Sequence, residues 1–400
     1  MDKKTKNIIF FITVLLFFGM FIGNYGNYQL SAVPSDIYAA YSLTDMQFSS
    51  IMTAPMIPSI FLSIIVGILV DRYGITKLTG LCLAVSAAGF IVRVFASNYI
   101  TMFIAMALTG VGCMIINANI AKIASSLYPM EKVGTVVGVL MAGSTASMAV
   151  AYATTALFPS LELAFWVTAA ASIILMLLWI LFVREKHFIY AAKDESAVPV
   201  KEALFASLKS KNIWLVGIAL FLIIGGSMVI SNFQVAAFSA LKGYSETLAG
   251  TFGTVLMVGA IIGAIVFPMI MAKAKKAAPV ILLIAGLAAA LFEGIMLILP
   301  MAGVYIASFL NGALRSGVLS VSLSFPVLFP EIGPKYAGTA GGLAVTIELI
   351  GVVVLPTYII VPLGNGYMSY FIIGAVCVAL GSICIFIAAK ISGAYKAKEA

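Results

Sequence analysis

Charge is what this chain has least of: 10% of its 400 residues are Asp, Glu, Lys or Arg, while 62% are hydrophobic. Ordinary soluble domains carry about a quarter charged residues. Too little polar surface is available here to cover a water-soluble fold, and that class is excluded. Histidine is nearly absent, with His187 alone. No H-E-x-x-H pattern and no pair of aspartates stands in an apolar run, which removes the ligand sets and bases a membrane-embedded enzyme needs. The chain therefore reads as a non-enzyme with no catalytic residue, no metal ligand and no cofactor. Cysteine is limited to Cys82, Cys113, Cys377 and Cys384, all inside apolar runs. They read as small buried side chains, because a disulfide framework or zinc site would need Cys or His clusters in loops. No stretch reads as an appended signalling domain.

What the chain does have is apolar runs of about 20 residues, each long enough to cross a hydrocarbon core roughly 30 Å thick as a helix. Between polar or Gly/Pro breaks there are twelve, with limits near 8–35, 46–70, 77–96, 99–127, 133–158, 163–183, 212–240, 247–272, 278–299, 302–328, 335–362 and 367–390. The first, Ile8 to Leu30, follows "MDKKTKN" and is too long for a signal-peptide core, so it is read as a retained span. The fold class is an all-α membrane protein of twelve transmembrane helices.

The net charge of +8 is spread along one side of the membrane and is not gathered into a nucleic-acid patch. Lys3, Lys4 and Lys6, then Arg72, Lys77 and Lys132, then the run from Arg184 to Lys211 all fall on the side of the two termini, whereas Lys242 stands alone on the other. The positive-inside rule places both termini and the 184–211 connection in the cytoplasm of a multi-pass bacterial plasma-membrane protein. Three basic residues remain inside spans: Arg93, Lys122 and Arg315.

The single long connection, "REKHFIYAAKDESAVPVKEALFASLKSKN", divides the chain into a six-helix bundle at 1–184, a linker at 185–211 and a second bundle at 212–400. Its amphipathic part, Val200 to Leu208, suits either a membrane surface or a solvated linker. The halves echo one another in order: "NYQ" at Asn27 and "NFQ" at Asn232, "YSLT" at Tyr41 and "YSET" at Tyr244, "LYPMEKVGTVVG" from Leu127 and "LFPEIGPKYAGTAGG" from Leu328. The offsets are about 200, and such internal repeats characterise secondary transporters.

Between the second and third spans stands "GILVDRYGITKL". Gly67 permits close helix approach, Gly74 a tight turn, and Asp71, Arg72 and Lys77 put charges at the membrane surface. Gly67, Asp71, Arg72, Gly74 and Lys77 fill the G-x-x-x-D-R-x-G-x-x-K signature of the major facilitator superfamily, which the chain resembles over its whole length. The second-half copy, "GAIVFPMIMAKAKK", lacks the Asp. The resemblance implies two pseudo-symmetric six-helix bundles. It implies a conformational latch at Asp71 and its neighbours, and a cavity lined by spans one, four, seven and ten. Spans two, five, eight and eleven would flank it, and spans three, six, nine and twelve would be peripheral and face lipid.

Polar residues recur at helical spacing on the lining spans, giving as solute-binding candidates Asn24, Asn27 and Tyr28 in span one, Asn117 in span four, Ser231 and Gln234 in span seven, and Asn311 in span ten. Packing between helices also uses such residues. Arg315 in "FLNGALRSGVLS" is different. It lies roughly 20 Å from the start of its span at about 1.5 Å per residue, and a buried guanidinium costs at least about 2.5–3.5 kcal/mol, so it must face a cavity or a partner. Its first-half counterpart is Met114, so the positive charge is one-sided, and a planar fork of donors suits a carboxylate. Glu348, at similar depth in span eleven, is the candidate proton-coupling group and a candidate ion-pair partner. Arg93 and Glu293, at matching depth in spans three and nine, read as interface anchors.

Span five has no Gly-Pro pair of the kind that resembles drug-efflux members, and "GTAGGLAVTIELIGVVVLP" in span eleven resembles small-anion members; Met114 denies the second arginine of the nitrate carriers. The expected function is secondary transport of a small organic anion by alternating access, proton-coupled or by anion exchange, with efflux of drug-like compounds as the alternative. The expected partners are the lipid bilayer, the anionic solute and H+, with no nucleic acid, and the chain is expected to be a monomer.

Overall fold

A computed structural model describes residues 3–190, 200–274 and 277–391. Every regular element among them is helical. Eleven helices among the described residues are long and apolar enough to span a bilayer: Lys3–Ala32, Ile75–Val94, Tyr99–Leu127, Met130–Leu157, Leu161–Phe182, Lys211–Lys242, Glu246–Ala274, Ala278–Ile295, Met301–Ser322, Lys335–Leu363 and Tyr367–Ile391. The remaining one, the second span, is a composite of Asp45–Thr53 and Ile57–Tyr73 joined by a 3-10 turn at Ala54–Met56. Twelve spans are thus present, numbered here in chain order, and the chain is an all-α membrane protein.

Local chemistry explains the ends. Span one stops at Ala32 because Val33 precedes Pro34 and is pushed out of the helical region to φ −131°, ψ 58°. A short helix, Pro34–Tyr41, follows; the span limits of 8–35 reached only its first two residues. Span two begins with a reciprocal cap between Thr44 and Gln47, and span four with one between Asn98 and Thr101. Prolines inside three spans act differently: Pro55 sits in the 3-10 turn of span two, Pro268 lies inside a continuous helix in span eight, and Pro356 sits in a π-helical segment, Leu355–Ile360, in span eleven.

Contacts divide the chain into two units, Met1–Asp194 and Glu195–Ala400, and the same pairings recur in each. In the first, span one packs on five and six, three on four and six, and two on four; in the second, seven packs on eleven and twelve, nine on ten and twelve, and eight on ten. Glycine makes the closest crossings possible. A methyl at Gly110 would collide with the Pro55 carbonyl, and one at Gly263 or Gly312 with the carbonyls of Ala313 or Leu256. Small residues at crossings let backbones approach where the lipid supplies no hydrophobic drive.

In the second unit, the amphipathic segment is a helix, Val200–Lys209, held to the start of span eleven. Glu202 accepts from Lys335 Nζ at 2.9 Å and from Tyr336 Oη at 2.5 Å. The bonds from Tyr336 and Lys335 hold the Glu202 carboxyl below the usual carboxylate range.

Arg93 corrects one expectation: it is not an interface anchor but completely buried, 0% exposed. Its Nη1 donates to the Gly26 carbonyl at 2.5 Å and its Nη2 to Gln29 Oε1 at 2.8 Å, with Thr168 Oγ1 donating to the same oxygen at 2.9 Å. The rings of Phe90 and Phe165 lie 5.0 and 4.1 Å from the guanidinium carbon. Carbonyl oxygens and aromatic faces stabilise the cation without a counter-ion, and the cluster ties span three to spans one and six. The reason the anchor reading fails is span six: Thr168 and Phe165 close over the side chain and leave no route to the interface.

The glycine crossings give a direct test. Gly138 has open space around its Cα. Gly263→Ala is expected to destabilise the detergent-purified chain by about 1–3 kcal/mol through backbone overpacking. Gly138→Ala should match or slightly exceed the parent, since Ala outranks Gly in helices by about 1 kcal/mol. Thermal unfolding of the two variants checks this, and equal midpoints would contradict the crossing.

Candidate solute-binding site

Span ten, Met301–Ser322, turns its small residues toward span eight, where Gly312 meets Leu256 and Gly317 meets the ring of Phe267. Arg315 is directed instead to span seven: its Nη1 donates to Ser227 Oγ at 3.1 Å. The residue is half-buried, so the guanidinium is neither sealed in the core nor turned away from the bundle. One turn earlier, Asn311 is fully buried and its Nδ2 donates to the Ala289 carbonyl of span nine at 2.8 Å. Ser322 bonds back to the Val318 carbonyl at 2.7 Å. The polar stripe read along span ten is therefore divided between packing, at Asn311 and Ser322, and Arg315.

The acid that the fold brings within electrostatic reach of Arg315 is Glu293 of span nine, which also lies beside the Asn311 amide. Glu293 is 0% exposed, so the interface-anchor expectation fails here too: the Gly226 and Gly374 backbones approach closely enough to enclose it. Glu348 is half-buried on span eleven. Among the described residues no hydrogen bond or ion pair joins it to Arg315.

In the same unit Ser231 and Gln234 are buried on span seven, and Gln234 Nε2 donates to no acceptor. In the first unit, Asn24 donates to the Met20 carbonyl at 2.9 Å and contacts Cys113 Sγ of span four at 3.8 Å. Asn27 is 2% exposed, and neither atom of its amide makes a hydrogen bond. Tyr28 packs edge-on against Tyr152 of span five, with ring centroids 5.6 Å apart. Asn117 is exposed and does not join this group. Met114 belongs to the buried apolar cluster of the unit, which agrees with a one-sided positive charge.

At the signature loop, Gly74 has φ +88°, a left-handed conformation that favours glycine. Arg72 and Lys77 are exposed, with the Arg72 guanidinium 5.3 Å from the Tyr73 ring centroid; the side chains of Gly67 and Asp71 lie outside the described residues. The loop is met by a residue the motif does not contain. Glu185, just beyond span six, accepts from the Thr76 backbone N–H at 2.7 Å, at the positive end of span three, and Trp179 Nε1 donates to the Thr76 carbonyl at 3.0 Å. An acid directly after span six was the available signal for Glu185. For Glu293 the signal was its occurrence in an apolar run at a depth matching that of Arg93.

Comparison with known proteins bears on the family and the fold. The chain is similar to the 3-(3-hydroxy-phenyl)propionate transporter of Escherichia coli (strain K12), at 23% identity over 357 residues that cover 88% of this chain and 87% of that protein. Among solved structures it resembles a bacterial homolog of the human lysosomal transporter Spinster in an inward-facing, unoccupied conformation, with a TM-score of 0.72, 13% identity and coverage of 99% of this chain and 98% of the other. It also resembles a mutant of the nucleoside transporter NupG, with a TM-score of 0.73, 13% identity and coverage of 95% and 99%. Residues 9–356 match the sequence pattern of the Major Facilitator Superfamily. With that match on top of the twelve spans and the repeated pairings, the chain belongs to the Major Facilitator Superfamily of membrane transporters.

Proposed function

We propose that the chain carries a small organic anion, a carboxylate, across the bacterial plasma membrane by alternating access, coupled to protons. The observation that carries this reading is Arg315, a half-buried guanidinium inside span ten, directed at Ser227 and away from lipid. A fork of donors at this depth matches a carboxylate in charge and shape. The relative that handles 3-(3-hydroxyphenyl)propionate, itself a carboxylate, supports the same class of solute.

In this reading Asn24, Asn27, Tyr28, Ser231 and Gln234 contribute to solute contact in one or another conformation, whereas Asn117 and Asn311 do not. The unsatisfied amide of Asn27 is the strongest of these, since a buried polar group without a partner costs about 1–3 kcal/mol and is retained for a use. Gly67, Asp71, Arg72, Gly74 and Lys77 form the latch, with Glu185 as its support. Glu348 accepts a coupling proton. The termini face the cytoplasm, as the distribution of basic residues favours, and the chain acts as a monomer.

Uptake into proteoliposomes tests the solute class, using a panel of mono- and dicarboxylates that includes 3-(3-hydroxyphenyl)propionate, with an uncharged sugar as control. Arg315→Gln is expected to lower carboxylate uptake by about 100-fold or more, the equivalent of losing a buried charge-assisted contact. Arg315→Lys should fall between, keeping charge but losing the fork. Equal movement of the sugar by parent and variant would remove the anion reading. Glu348→Gln tests coupling: exchange across the membrane should persist, while accumulation driven by an imposed pH gradient is lost. Undiminished accumulation would exclude Glu348 as the proton carrier.

A further inference from the structure

Arg93 and Glu293 lie at matching depth in spans three and nine, and both are 0% exposed. Their surroundings correspond as well. Arg93 reaches the Gly26 carbonyl and Gln29 of span one and shares its acceptor with Thr168 of span six. Glu293 lies where Gly226 and Val229 of span seven meet Gly374 of span twelve. Each charge is thus enclosed by corresponding spans, one and six in the first unit and seven and twelve in the second, with the sign reversed. The span-seven neighbours are not repeat counterparts, since alignment of Asn27 with Asn232 pairs Gly26 with Ser231 and Gln29 with Gln234.

The result differs in kind. Arg93 has both terminal guanidinium nitrogens bonded, but neither carboxyl oxygen of Glu293 makes a hydrogen bond, and Asn311 Oδ1 beside it is likewise without a donor. A carboxylate ion held in a dry site without hydrogen bonds costs several kcal/mol, whereas a protonated carboxyl is neutral and carries one O–H donor. Among the described residues, Arg315 from span ten and Cys377 from span twelve are the charged and titratable groups coupled to it. Gly226 and Val229 are its span-seven neighbours, and Arg315 bonds to Ser227, the residue after Gly226.

We propose that Glu293 is a proton-binding site linked to Arg315. It holds a proton while Arg315 is engaged elsewhere and ionises when Arg315 needs a counter-charge. The proton comes from the aqueous phase and returns to it, and no bond other than the O–H is made or broken. Span nine belongs to the set that the family resemblance assigns to the lipid-facing periphery, so this role is not carried over from the family. It rests on the reading of Arg315 as the anion-recognising residue. Glu348 is a separate acid, on span eleven.

Infrared difference spectroscopy of the purified full-length chain, read at the C=O stretch of protonated carboxylic acids across a pH series, tests this without any solute. An acid band is expected in the parent, absent from Glu293→Gln and retained in Glu348→Gln. In Arg315→Gln the midpoint at which that band disappears should move to higher pH by about one unit or more, because a nearby cation favours the ionised form. That second variant keeps Glu293 itself, so the test survives if Glu293→Gln fails to fold. Identical spectra for the parent and a folded Glu293→Gln would overturn the proposal by showing a permanently ionised acid. An unmoved midpoint in Arg315→Gln would overturn the linkage. Transport of 3-(3-hydroxyphenyl)propionate is measured in parallel: if no carboxylate in the panel is moved, the anion reading fails while the spectra still decide the proton site.

Discussion

A charge placed inside a hydrocarbon layer must be compensated by the protein around it, and most of the organisation of this molecule follows from how that is done. Water is not available at mid-depth to solvate a guanidinium or a carboxylate, so the cost of each falls on its neighbours. Arg93 meets the requirement with two oxygens and two aromatic faces, and in doing so joins three spans. Arg315 is placed differently. It has Ser227 within reach and an acid nearby, and it keeps part of its surface accessible. The first arrangement is closed, whereas the second leaves part of the side chain exposed.

The fold supplies these environments by repetition. The five principal pairings of the first unit are those of the second, and close crossings at Gly110 and at Gly263 serve the same pair of spans in each. A glycine crossing fixes helix separation, and helix separation decides whether a side chain between two spans is enclosed. Glu293 is enclosed because Gly226 and Gly374 let spans seven and twelve approach. The chemistry of a buried acid thus originates in the absence of two side chains.

Much of this was legible before any coordinates. Apolar length gave the twelve spans to within a few residues, because hydrocarbon thickness is a hard constraint on helix length, and the repeat and signature gave the family. The cost of a buried arginine singled out Arg315. What sequence could not give was which helices close over which charge. Arg93 sits a turn from the end of its span, which reads as an interface position, and only the packing of span six denies it that route. Glu293 was passed over for the same reason, and Glu348 favoured, because depth along a span is readable from a sequence while azimuth around it is not. The 3-10 and π turns at Pro55 and Pro356 were visible only as prolines, since proline specifies that regular bonding fails and leaves open how the chain repairs it.

The exchange of sign between positions 93 and 293 bears on how a duplicated chain acquires a mechanism. Two copies of the first half would hold two rigid clamps and no acid; two copies of the second would hold two acids and nothing to brace them. Neither symmetric ancestor combines a fixed scaffold with a responsive one. The asymmetry between Arg93 and Glu293 therefore gives the halves different parts: one buried charge is braced by its neighbours, and the other acid is enclosed without a hydrogen bond.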